Sequence, residues 1–276
     1  MNYEEYVERF NRRADVFSLD IDKDIDMRKS LIDQEDELWN EWSMTYSPEE
    51  LKQFCFDGLL AGRNKDPKEE EKKWLNAKRR VLFFMKDTNG NPDDDIRSWH
   101  IGWETYEDGT IKPLHRFYIV LLKWLWALNE VTADHLPVFD KTKEEYIEAT
   151  WQYPMAQVNG KKISGGAQVS NEVLWLYFER DTCSLARQFR LLNPNIIVCG
   201  GGSGTLCQYV MEYLYQNYFF EKINNWCYYC ASLDLLVIDS YHPSSRISDE
   251  EKFDAMIAAV QQFYKYKALK ESLIQQ

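Results

Sequence analysis

Val81-Leu82-Phe83-Phe84-Met85-Lys86-Asp87-Thr88-Asn89-Gly90-Asn91-Pro92 is the stretch that decides how the chain is read. Its first five residues are apolar without alternation, and the rest are turn formers. Such a run fits a strand buried on both faces, followed by a loop. The pattern recurs downstream. Residues 155–158 lead into Asn159-Gly160-Lys161-Lys162. Ile196-Ile197-Val198-Cys199 leads into Gly200-Gly201-Gly202-Ser203-Gly204. Residues 233–238 lead into Tyr241-His242-Pro243-Ser244-Ser245-Arg246.

Helical patterns separate these runs. Residues 113–128 are apolar on nearly every face, which predicts a helix buried against a sheet. Ser170 or Asn171 caps a helix that Asn193-Pro194 stops, and another begins near Thr205. Ser248, with Glu251 three residues on, opens the last helix, whose Phe253, Met256, Ile257, Val260 and Phe263 form one stripe. Alternating strand and helix predict an α/β domain over residues 79–270. Its expected form is a three-layer α/β/α sandwich around a four-stranded parallel sheet. In such sheets ligands sit beyond the carboxyl ends of the strands. That rule gathers Asp87, Asn89, Asn159, the glycine turn and His242 on one rim.

Residues 1–78 read as a charged, helical N-terminal extension packed on the core. Ser47-Pro48-Glu49-Glu50 is a helix start with a capping box. Leu51, Phe54, Leu59 and Leu60 then form a rough apolar face that ends near Gly62. Residues 66–80 predict a mixed-charge surface helix.

The 276 residues carry a net charge of −12, which argues against tight non-specific binding of duplex DNA. A local basic groove would need Lys112, His115, Arg116, Lys123, Lys161, Lys162, Arg187 and Arg190 to gather; scattered solvated charges are the plainer alternative. The six cysteines, with a polar first stretch and no apolar run of membrane-spanning length, predict free thiols in a reducing cytoplasm and no membrane association. Cys227 and Cys230 have zinc-like spacing, but no second pair completes four ligands, so no metal is expected.

Each candidate has two readings. Asp87 either orients a water or caps a turn. His242, one of four histidines, either donates to a developing anion or bonds backbone in a turn set by Pro243. Asn159 either meets the edge of a base or serves an Asn-Gly turn. Arg246 either holds a phosphate or pairs with Asp249 or Glu250. Residues 200–204 lack the lysine of a P-loop and do not fit the dinucleotide fingerprint, so no cofactor is expected and a tight strand-to-helix turn is.

Taken in order, Phe84-Met85-Lys86-Asp87-Thr88-Asn89, Val158-Asn159-Gly160-Lys161-Lys162, Leu192-Asn193-Pro194-Asn195-Ile196-Ile197-Val198-Cys199-Gly200 and Tyr241-His242-Pro243-Ser244 resemble the uracil-DNA glycosylase superfamily over about residues 78–268. The chain departs from that pattern in Lys86 and Thr88, which replace a glycine and a proline flanking the first acid. Its Ser-Ser-Arg after the last strand replaces a longer intercalating loop. The resemblance implies hydrolysis of the N-glycosidic bond of uracil or a related base in DNA, single-stranded or flipped out. It implies Asp87 and His242 as catalytic residues. Lys86, Asn89, Asn159, Gly201, Ser244 and Arg246 would contact substrate, and Trp99 would stack on the base. Two rivals stay open. One is a repurposed member that binds nucleotide, nucleic acid or a protein partner. The other is a hydrolase of a small nucleoside-like molecule.

Overall fold

The structure is a computed structural model, and it describes residues 26, 28–61, 66–88, 95–98, 115–166, 169–201 and 204–274. A seven-stranded mixed sheet runs through it in the order β1-β3-β2-β4-β7-β6-β5. The strands are β1 (Gly58–Leu59), β2 (Val81–Met85), β3 (Met155–Asn159), β4 (Ile196–Gly200), β5 (Glu221–Lys222), β6 (Cys227–Cys230) and β7 (Leu235–Ser240). The expected four-stranded parallel sheet is thus too small a description. Strands β3, β2, β4 and β7 pair in parallel in the centre. Antiparallel β1 extends one edge, and antiparallel β6 and β5 extend the other.

The continuous apolar runs are explained by what covers them. Every residue of β2, β3 and β4 is buried, because helices pack on both faces. Leu82, Phe84, Ala156, Val158, Ile197 and Val237 face helices α1 (Leu31–Ser43), α6 (Asn171–Leu192) and α7 (Thr205–Tyr209). Val81, Phe83, Met85, Ile196, Val198 and Ile238 face α4 (Arg116–Glu130) and α8 (Asp249–Ile274). Two short helices, α2 (Pro48–Leu51) and α3 (Pro67–Asn76), precede β2, and α5 (Lys143–Ala149) precedes β3. Cys230 belongs to the first core and Cys227 to the second. Three residues apart on a strand, the two thiols point to opposite faces, and all six cysteines are free. No helix among the described residues is long and apolar enough to cross a membrane.

The expected helix through Leu60 is not present. Its capping box at Ser47 and Glu50 forms, but the helix stops at Leu51. Phe54 and Phe56 make isolated bridges, and Gly58–Leu59 joins the sheet beside β3. Trp39, Trp42, Phe54 and Trp74 are all buried in the first core. This N-terminal region therefore contributes a strand and large aromatic rings to the sheet's own packing, as well as helices.

A buried polar knot fixes that junction. Lys162 and Asp57 are fully buried, and Lys162 Nζ donates to both Asp57 carboxylate oxygens at 2.7 and 2.8 Å. Gln188 of α6 donates to Asp57, and so do the amide and side chain of Asn159. The Lys162 ammonium also lies 5.1 and 4.8 Å from the ring centroids of Trp39 and Trp42. Burial pulls that ammonium below its ordinary range, with the Asp57 charge opposing.

Glu35, on α1, is not satisfied in this way. It is fully buried, and neither carboxylate oxygen makes a well-formed hydrogen bond among the described residues, although the Leu59 amide lies near. Burial pushes its pKa up to about 8, with Arg97 opposing. A raised carboxyl stabilises the fold fully below its ordinary pKa and loses that contribution as pH rises to about 8. Glu35→Gln, which mimics the protonated acid, is expected to stabilise the protein little at pH ~5 and increasingly towards pH ~8. Urea unfolding at several pH values measures this; a pH-independent difference contradicts it.

Candidate functional site

The parallel strands follow the spatial order β3-β2-β4-β7, so chain order reverses at β2. A crevice is expected beyond the carboxyl ends of β2 and β4. Lys86 and Asp87 leave β2 there, and Tyr241 and His242 leave β7 at the same end of the sheet. Only β4 lies between those exits. Two strand spacings separate them, roughly 10 Å.

The end of β4 is built from glycine because both neighbours close over it. A Cβ on Gly200 would meet the Met85 sulfur at 2.3 Å and Pro243 Cδ at 3.6 Å. A Cβ on Gly201, whose φ is +84°, would meet His242 Cβ at 2.3 Å and its backbone nitrogen at 2.9 Å. The exits of β2 and β7 thus meet directly over the two glycines, the Met85 side chain covering Gly200 and His242 covering Gly201.

His242 is half-buried, and its Nδ1 accepts the Ser244 amide at 3.1 Å. That bond selects the tautomer with the proton on Nε2. Burial lowers its pKa, aided by the charges of Lys86 and Lys252. At neutral pH the ring is a neutral donor through Nε2. Lys252, itself fully buried, donates to the Pro243 carbonyl and holds the loop. The Phe117 ring stands 5.7 Å from the imidazole.

Asp87 is held by the loop after β3. Lys161 Nζ lies 3.2 Å from Asp87 Oδ2, with both side chains nearly buried. The loop hugs the β2 exit through Gly160 N–H to Met85 O, Lys161 N–H to Lys86 O and Gly165 N–H to Thr88 O. Burial raises the Asp87 pKa, and Lys161 opposes that shift. Oδ1 has no hydrogen bond among the described residues.

The remaining expectations divide. Asn159, expected on the rim, is fully buried at the end of β3, with its Nδ2 on Asp57 and its Oδ1 without a hydrogen bond among the described residues. As the last residue of β3, it faces the buried carboxylate that enters beside it. Ser244 and Arg246 are exposed on the loop after β7. Asp249, a suggested partner of Arg246, pairs with Arg116 and Lys252. Asn89, Lys112 and Trp99 lie outside the described residues. The other basic candidates do not line one groove. Lys161 and Lys162 are buried in ion pairs, Arg187 meets Glu41, and Arg190 covers Tyr215.

One residue on the rim was missed. Asp239, the penultimate residue of β7, lies near Gly204 at the start of α7. Burial raises its pKa. The signal was an acid ending a buried run, Leu235-Leu236-Val237-Ile238-Asp239.

No family model matches the chain, and no curated protein matches it.

Gly201→Ala forces a side chain into left-handed backbone and against His242. It is expected to cost about 1–3 kcal/mol and to shift the His242 ring resonances. Gly166→Ala, where a Cβ would meet nothing within 4 Å, is the control. Urea unfolding and imidazole NMR check both; equal behaviour of the two variants contradicts the crowded floor.

Proposed function

We propose that this rim hydrolyses the N-glycosidic bond of uracil or a related base in DNA, presented single-stranded or flipped out of the helix. The reading includes a uracil-DNA glycosylase-like three-layer domain over residues 79–270. A cytoplasmic location accords with the six free thiols. The observation that supports it is that Asp87 and His242 follow parallel strands leaving the same end of the sheet, on either side of the glycine-ended β4.

In this mechanism Asp87 Oδ1 accepts a proton from water as the water oxygen bonds to C1′ of the sugar. The C1′–N1 bond breaks, and its electron pair leaves with the base. Nε2–H of His242 stabilises the anion that forms, and solvent later protonates it. Lys161 fixes the orientation of the carboxylate. The chain's acidity disfavours a long duplex footprint, so single-stranded DNA is the preferred substrate.

A second reading has one observation in its favour. Four of the basic side chains that would make a nucleic-acid groove, Lys161, Lys162, Arg116 and Arg187, are engaged by carboxylates. A repurposed protein that binds a nucleotide, or another partner, would need no such groove.

Uracil release from single- and double-stranded uracil-containing oligonucleotides separates the two. The glycosylase reading predicts release that falls about 10²–10³-fold in His242→Ala, and comparably in Asp87→Asn, with unfolding midpoints little changed. The acid limb of the rate should lie above the ordinary aspartate range, because burial raises Asp87. Rate should then stay flat through neutrality, where His242 is already neutral. No release from either substrate, with nucleotide binding detected by calorimetry, supports the second reading.

A further inference from the structure

Lys86 stands one residue beyond β2, at the reversal of strand order. It is half-buried. Among the described residues the one hydrogen bond of its ammonium is a long 3.4 Å contact to the neutral Asn171 side chain. The neighbouring carboxylate does not pair with it, because Asp87 is held by Lys161. A cation that is partly desolvated and bonded to no carboxylate is poised for an anion from elsewhere.

The floor beside it explains where that anion would sit. Met85 and Pro243 both approach the Cβ position of Gly200, and His242 covers that of Gly201. Lys86 follows Met85 directly, and His242 precedes Pro243 directly. Lys86 and His242 thus follow the two exits that meet over these glycines, and the Lys86 side chain reaches Asn171 at the start of α6. The charge of Lys86 also reaches His242, whose proton affinity it lowers.

A neutral imidazole offers a hydrogen bond without a full charge. The base departs with the electron pair of the C1′–N1 bond, so a full negative charge develops. We infer that Lys86 is a second leaving-group residue, contacting the departing base anion from the β2 side of the glycine floor while His242 contacts it from the other. This role rests on the glycosidic reading. The atoms balance as before: water adds to C1′, Asp87 takes its proton, and the base leaves as an anion that solvent protonates. Lys86 transfers no proton and supplies charge alone.

Leaving-group chemistry tests this directly. 5-Fluorouracil is a more stable anion than uracil and needs less help to depart. Release of each base is measured from otherwise identical single-stranded oligonucleotides by wild type, Lys86→Met and Lys86→Arg. The imidazole of His242 is titrated by NMR in wild type and Lys86→Met. The expected result is a loss of about 10²-fold on uracil in Lys86→Met, about tenfold smaller on 5-fluorouracil. Lys86→Arg, which keeps the cation, should retain most of the rate on both. His242 should titrate at higher pH once the neighbouring charge is gone. Equal losses on the two bases overturn the leaving-group role and leave the reaction standing, whatever the titration shows. A wild-type protein that releases neither base overturns the reaction and this role with it.

Discussion

The fold is organised around one buried ion pair, Lys162 with Asp57. Its two partners are 105 residues apart, and both are fully buried. Two charges withdrawn from water are tolerated only when their geometry and their remaining hydrogen bonds are good. Here Gln188 and Asn159 complete the acceptor set of Asp57, and two tryptophan rings cover the ammonium. The pair joins four pieces of chain: the segment before β1, the exit of β3, the middle of α6 and the aromatic face of α1. Separating the first two would leave a buried charge unpaired, and moving either helix would strip the pair of a hydrogen bond or of its aromatic cover.

That constraint reaches the rim through the next residue in the chain. Lys161 precedes Lys162, and the loop they share lies along the exit of β2 through three backbone hydrogen bonds. One lysine is locked in the core, and the other therefore meets Asp87 from a fixed direction. On the far side of β4, Lys252 holds the Pro243 carbonyl, and the Ser244 amide sets the imidazole tautomer. Each candidate group is thus oriented by a partner that is itself buried or backbone-bound. The proposed electrostatic catalysis would require such preorganisation.

The central strands were legible because two-sided burial leaves a plain mark, a run of apolar residues ended by Gly, Asn or Asp. The caps at Ser47, Ser170 and Ser248 were legible because their chemistry is local. The edges of the sheet were not. Gly58–Leu59 is too short to show a period, and Cys227–Cys230 displays a ligand-like spacing that conceals a strand. The placement of Asp87 and His242 on one rim follows from strand direction alone. The burial of Asn159 was not legible because its partner, Asp57, comes from a region read as helix. Lys161 and Lys162 looked like groove residues for the same reason: a sequence shows a charge but not the distant carboxylate that takes it inward.

A double-mutant cycle on Asp57 and Lys162 tests the organising claim most directly, with stability read from urea unfolding. Asp57→Leu and Lys162→Met should each cost about 3–5 kcal/mol, because each strands a buried charge. The double variant should cost far less than their sum. Single losses below about 1 kcal/mol, or losses that simply add, would show that the pair does not hold these segments together.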